Sequence, residues 1–226
     1  ETETVDKLFC MFDEHLENKG LISHKGTIVD ATFVDAPRQR NSRDENKKIK
    51  NGVIPEEWEK PENKSKLAQK DIDADWTKKN GERHFGYKDH VKCDADSKLI
   101  TNYSVTSASV HDSQRCLVFI GQEDEVLYAD SAYSGKPIAL ALPENCKNQI
   151  CEKGYRNSPL TSEQKMNNRR KSRIRCRIEQ IFGFMTGAMH GITIRSIGIT
   201  RAWMNIGITN LVYNFCRYSY LKRASA

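Results

Sequence analysis

Arg175-Cys176-Arg177-Ile178-Glu179-Gln180-Ile181-Phe182-Gly183-Phe184 is the stretch on which the reading of this chain turns. With Glu179 at zero and 100° per residue, Ile174, Ile178, Ile181, Phe182 and Met185 gather between about −60° and −160°. The spacing predicts a helix whose apolar stripe faces a core. Glu179 lies beside that stripe, and Arg175 is one turn back on nearly the same line, at about −40°. Arg170, Arg173 and Arg177 fall on the polar side. Upstream, Lys165, Arg169, Arg170, Lys171, Arg173, Arg175 and Arg177 form a basic run with no acid inside it. A lone Glu on a helix is ordinarily a solvated surface group. What sets Glu179 apart is the pair of acids that interrupt apolar strands earlier in the chain.

The nearer one is Asp130. Glu125-Val126-Leu127-Tyr128-Ala129-Asp130 reads as an apolar strand ending in an acid. Ser131 to Gly135 makes a turn, and a helix starts near Lys136-Pro137. An Asp at the C-terminal end of a strand before a βα turn is a frequent catalytic position in α/β sheets; an Asx-turn or helix-start role is the alternative. The farther one is Asp30. Thr27-Ile28-Val29-Asp30-Ala31-Thr32-Phe33-Val34 is apolar on both faces, as in a central strand. A charge there has to be paired, for instance with an Arg, or used as a cap, or given a metal.

The remaining segments frame these three. Residues 3 to 18 form a first helix on Val5, Leu8, Phe9, Phe12 and Leu16, with Gly20 as its stop. Residues 38 to 80 are polar and of mixed charge and read as an extended insertion or loop, with a short helical turn at Ile54 to Trp58. Asp71, Asp73 and Asp75 begin like a calcium loop but lack its Gly and terminal Glu. His84 to Asp94 and Leu99 to Thr106 form a hairpin. His84 and His90 share a strand face and, with no third ligand, read as hydrogen-bonded histidines; Lys88 is placed to contact a phosphate. Ser113 caps a helix to about Ile120, and Asn148 to Glu152 is a short strand. Thr161 or Ser162 caps one long basic helix running through Glu179. Met204, Ile208, Leu211, Val212 and Phe215 supply the core stripe of a last helix over about 201–221.

Length and composition agree with a globular domain. The chain has 226 residues, 38% hydrophobic and 29% charged, with a net charge of +6 concentrated in its basic run. That concentration points to nucleic acid. Seven scattered cysteines without a C-x-x-C pair read as free thiols in a reducing cytoplasm. No signal peptide or long apolar run is present, so no membrane is expected as partner.

Asp30, Asp130 and Glu179, on two strands and a helix, can converge on two hard cations, as phosphodiester cleavage requires. Arg175 and Lys171 could then hold DNA phosphates beside them.

At this point the chain resembles bacterial insertion-sequence transposases of the DDE class, specifically the group called insertion-sequence family five. The resemblance rests on Thr27-Ile28-Val29-Asp30-Ala31-Thr32, Phe85-Gly86-Tyr87-Lys88-Asp89-His90 and His111-Asp112. It continues through Tyr128-Ala129-Asp130-Ser131-Ala132-Tyr133-Ser134-Gly135 and Arg175-x-Arg-Ile-Glu179-x-x-Phe182-Gly183. It implies an RNase H-like α/β fold, a mixed sheet flanked by helices, with an insertion after the first strand. It implies Mg²⁺-dependent cutting at transposon ends and strand transfer into target DNA, with Mn²⁺ as a substitute. Asp30, Asp130 and Glu179 map onto the metal-binding catalytic acids and Arg175 onto the Arg four residues before the Glu. Lys88, Lys171, Arg173, Arg175 and Arg177 are the expected DNA contacts. Two positions depart from the pattern: Thr186 stands where relatives often have Lys, and Ser172 where some have Tyr. The resemblance further implies double-stranded DNA as partner, a homodimer or larger synaptic assembly, and a place at the bacterial nucleoid. On this reading residues 1–22 are the last helix of an N-terminal region and 23–226 the catalytic domain. The rival readings are a same-fold nuclease and a catalytically silent, DNA-binding remnant.

Overall fold

The computed structural model describes residues 2–79 and 81–224. A six-stranded mixed sheet forms the centre: β1 (Thr27–Asp35), β2 (Asp75–Lys79), β3 (Glu82–Asp94), β4 (Ile100–Ser107), β5 (Val126–Tyr128) and β6 (Lys147–Asn148). The order is β2-β3-β1-β5-β6, and β4 joins β3 on the edge it shares with β2. β1 is antiparallel to β3 and parallel to β5, and β5 is parallel to β6. The expected central strand is therefore central. Ile28 and Val34 point into one core with Ile178, Ile181 and Met185, while Val29 points into the other with Cys116, Phe119 and Leu127.

Nine α-helices flank this sheet among the described residues: α1 (Thr2–Asn18), α2 (Arg43–Lys50), α3 (Glu56–Glu59), α4 (Lys64–Ala68), α5 (Ser113–Phe119), α6 (Lys136–Ala141), α7 (Ser162–Arg175), α8 (Arg177–Gly187) and α9 (Ile199–Ala224). α1, α8 and α9 cover one face, and α5 and α6 the other. A mixed sheet between helical layers is the RNase H-like arrangement.

Four expectations are corrected. The segment expected as insertion or loop over 38–80 is an ordered insertion over its described part, 38–79: it holds α2, α3, α4 and the edge strand β2, with Trp58 fully buried and donating its indole N–H to Glu45 (2.8 Å). The basic helix is not continuous. Thr161 caps α7 in a capping box with Gln164, but Cys176 (φ −61°, ψ −8°) ends it, and α8 starts afresh at Arg177. Ser113 is not the cap of α5; Asp112 takes that position, and the Ser113 hydroxyl pairs with the His111 ring (2.8 Å). Finally, the core stripe of α9 is on another face. Ile208, Val212 and Phe215 are exposed, whereas Ala202, Ile206, Gly207, Asn210, Leu211, Tyr213 and Asn214 are buried.

The reason is that α9 meets the sheet through polar and small residues. Asn214 donates to Ile100 O (2.7 Å) and accepts from Ile100 N–H (2.9 Å), a two-point bond to β4. Gly207 admits the Tyr103 ring and Val5, which a Cβ would strike. Asn210 donates to Asp89 (3.2 Å), a carboxyl wholly buried on β3.

Burial pushes Asp89 up to about 8, against the pull of the Asn210 N–H. Asp89 Oδ2 and Asn210 Oδ1 have no other partner. Protonating Asp89 removes a buried charge that a single amide N–H cannot offset. In the unfolded chain this acid ionises near about 3.9. The folded protein thus holds the extra proton, and this contribution is full below about pH 4 and lost as pH rises to about 8. Asp89→Asn keeps the shape and removes the titration. Denaturant unfolding at pH 5 and pH 8 should show the variant gaining on the wild type as pH rises; parallel behaviour of the two would contradict a protonated Asp89.

Candidate active site

Thr27 pairs with Leu127 and Ile28 with Tyr128 across the parallel β1–β5 ladder. Asp30 lies two residues beyond Ile28 and Asp130 two beyond Tyr128, so both acids leave the same end of that ladder. Asp30 is largely buried, with 13% of its side chain exposed, and its Oδ1 accepts the Ala31 N–H (2.8 Å). Asp130 uses one oxygen to cap the 3-10 turn Ser131–Tyr133 through the Ala132 N–H (2.6 Å). Glu179 lies in the first turn of α8, more than half exposed. Arg175, the last residue of α7, donates from Nη1 to Asp30 Oδ2 (2.9 Å) and from Nη2 to Glu179 Oε1 (2.7 Å). One guanidinium thus ties the strand acid to the helix acid. The two modest alternatives are both present in part, since Asp30 is paired with an Arg and Asp130 caps a turn.

Burial pushes the Asp30 carboxyl up to about 6; the Ala31 N–H and Arg175 act against this, and the Asp130 charge adds to it. One guanidinium facing three carboxylates leaves the site short of positive charge. An all-carboxylate donor set suits a hard divalent cation. Oxygens of the three acids are not all within 4.8 Å of one another; the only such trio among the described residues is His24, Glu123 and Asp124. That trio is occupied by the protein itself. Asp124 accepts from Thr27 Oγ1 (2.6 Å), Lys92 Nζ (2.9 Å) and the Gly121 N–H (2.8 Å), so a buried lysine already supplies the countercharge.

Tyr133 is a neighbour that the sequence reading passed over. It is buried, its hydroxyl has no partner among the described residues, and Asp30, Asp112 and Asp130 add to burial in pushing its pKa up. Its signal was its place three residues after Asp130 in an otherwise polar turn.

The five expected DNA contacts divide. Lys88 is not available: its ammonium is buried, donating to Val110 O (2.6 Å) and Asp112 (2.8 Å). Lys171 donates to Ile150 O (2.9 Å) and braces α7 against the segment after β6. Arg177 spans to Ala95 O (2.6 Å) and Asp96 (2.9 Å) in the β3–β4 turn. Arg175 is in the acid site. Of the five, Arg173 alone is exposed and without an ion pair to any described residue, and it continues a ridge with Lys165 and Arg169 at four-residue spacing. This ridge borders a shallow groove of about 590 Å³. Thr186 bonds its own helix at Phe182 O (2.9 Å), and Ser172 lies 3.8 Å from the Cys151 sulfur.

Over residues 22–215 the chain matches the family described as the transposase DDE domain, a span that includes all three acids and Arg175. The chain belongs to this family. Across 190 residues it is 30% identical to the transposase for insertion sequence element IS1106 of Neisseria meningitidis serogroup B, covering 80% of this chain. It spans 61% of that relative's length. No solved structure matches.

The Lys88–Asp112 pair provides a direct check on the division of cations. Lys88→Met leaves a carboxylate and a carbonyl buried without their donor, so unfolding free energy should drop by about 3 kcal/mol. A folded, equally stable variant with weakened DNA binding would instead return Lys88 to the DNA contacts.

Proposed function

We propose that this chain is the catalytic unit of a transposase that cuts DNA at transposon ends and joins the freed end to target DNA. What supports this reading is that Arg175 bonds both Asp30 on β1 and Glu179 on α8, while Asp130 follows β5, the parallel neighbour of β1. The unit we assign covers residues 23–226. α1 is read as belonging to a preceding region; it packs on it through Phe9 against Tyr103 and through Asp6, which accepts from Tyr103 and Trp203.

The three acids would hold Mg²⁺ or Mn²⁺, which supplies Lewis-acid charge where negative charge builds on the phosphoryl group. Asp30 and Asp130 set the site on rigid sheet backbone. Glu179 closes it from α8, its carboxylate more than half exposed. Arg175 holds Asp30 and Glu179 at fixed positions; once their charge is satisfied, its planar fork can take a DNA phosphate instead. The ridge of Lys165, Arg169 and Arg173 supplies further backbone contacts, which give affinity without sequence preference. Hydrolysis forms a P–O bond from water and breaks the bond to the 3′ oxygen. Joining then uses that 3′-hydroxyl on a target phosphodiester and releases a target 3′-hydroxyl. Two ends and a target suit a dimer or larger assembly on double-stranded DNA. Among the described residues no helix is long and apolar enough to cross a membrane.

The test uses DNA carrying candidate transposon ends, with Mg²⁺ or Mn²⁺ against EDTA. Metal-dependent nicking and joined products are expected, reduced on the order of 10²–10³-fold in Glu179→Gln and Asp130→Ala, while DNA affinity is retained. Cleavage without joined products would favour a nuclease. Near-normal cleavage by Asp130→Ala would remove it from the site.

A further inference from the structure

The insertion between β1 and β2 builds a second cationic surface. A cleft of about 670 Å³ opens between α4 and the segments that follow β1 and precede α9. Four of its lining residues, Arg38, Lys66, Lys70 and Arg195, are basic. Lys66 is paired with Glu45 (3.5 Å), but the other three have no carboxylate partner among the described residues. Lys70 finds only neutral acceptors, Arg40 O (3.0 Å) and Asn41 Oδ1 (2.6 Å). Arg38 is exposed and lies 5.8 Å from the Trp76 ring centroid. Arg195 is exposed and makes no hydrogen bond or ion pair with any described residue. Asp71, the acid in the lining, is turned away to the Tyr87 hydroxyl (2.8 and 2.7 Å). Gln39 adds a buried Oε1 without a partner.

Three uncompensated cations converging on one cleft repel one another unless an anion joins them. The Trp58 ring holds two of the four in place, with Lys66 and Lys70 Nζ at 5.4 and 5.2 Å from its centroid. The wide, open shape suits a polyanion.

We propose that this cleft binds backbone phosphates of DNA on the opposite side of the catalytic acids from α7. The proposal rests on the DNA-processing function above. The placement follows from the sheet. α7 is braced on the β6 side, through Lys171 to Ile150 O and Asn168 to Glu152. The cleft lies toward β2 and β3: the Ala36 N–H donates to Phe85 O, and Arg38 sits over Trp76 of β2. Extended chain from Asp30 to Ala36 covers about 20 Å at roughly 3.3 Å per residue. The Ile194 N–H bond to Asp35 O (3.1 Å) brings Arg195 to that same end. About 20 Å is roughly six base pairs of duplex at about 3.4 Å each. DNA at the acids is thereby held from both sides.

The experiment measures duplex binding by fluorescence anisotropy over a range of NaCl concentrations, for wild type, Arg38→Ala/Arg195→Ala and Arg169→Ala/Arg173→Ala. Removing two phosphate contacts should make the slope of log K against log[NaCl] shallower by about 1.8. The loss should be equal on transposon-end and shuffled duplexes, because phosphates carry no sequence. Both residues are exposed, so the thermal midpoint should not move, and Arg38→Lys/Arg195→Lys should restore the slope. An unchanged slope in the cleft variant beside a reduced one in the α7 variant overturns the cleft and leaves the function standing. A loss confined to one sequence also overturns it. Wild type without salt-dependent DNA binding brings down both readings.

Discussion

The bond from Arg175 to Asp30 and Glu179 is the constraint on which the site depends. Burial pushes Asp30 up to about 6 even with a guanidinium against it, and the Asp130 charge adds to this. The fold accepts this strain because the strands are fixed by cores on both faces, through Ile28 and Val34 on one and Val29 on the other. The helix break at Cys176 matters for the same reason. It lets α8 bury Ile178, Ile181 and Met185 against the sheet while Arg175, at the end of α7, reaches inward across Asp30.

Cations in this protein serve two purposes, and burial separates them. Lys88 and Lys92 neutralise acids inside the structure, and each ties one segment to another. Lys165, Arg169 and Arg173 on α7, Arg38 after β1 and Arg195 before α9 stand in solvent without a carboxylate partner among the described residues. A net charge of +6 therefore understates the field that a polyanion would meet, because the unpaired positive groups lie on surfaces flanking the acids.

Much of this was legible in the sequence. Thr27–Val34 declared a central strand because both faces are apolar, and the hairpin declared itself by alternation. Asp30 and Asp130, 100 positions apart in number, leave the same end of one ladder because Thr27 and Leu127 pair. Other features were hidden. Lys88 sits in an alternating strand that gives no sign of Asp112 arriving from a loop beyond the hairpin. Apolar periodicity misplaced the buried face of α9, since that face is made by Gly207, Asn210 and Asn214, while Ile208 and Val212 face out. Beyond its helical turn at Ile54 to Trp58, the insertion read as loop because Trp58 and Trp76 are the large apolar side chains that anchor it among the described residues, and two indoles leave little pattern in a polar segment.

The most direct test of the central claim is where a divalent ion sits in the folded chain. Fe²⁺ substituted at the site, with ascorbate and peroxide, cuts the polypeptide next to the bound ion, and mass spectrometry maps the cuts. The account predicts cleavage clustered near Asp30, Asp130 and Glu179, suppressed by excess Mg²⁺. Cuts centred on His24, Glu123 and Asp124, or scattered along the chain, would contradict it.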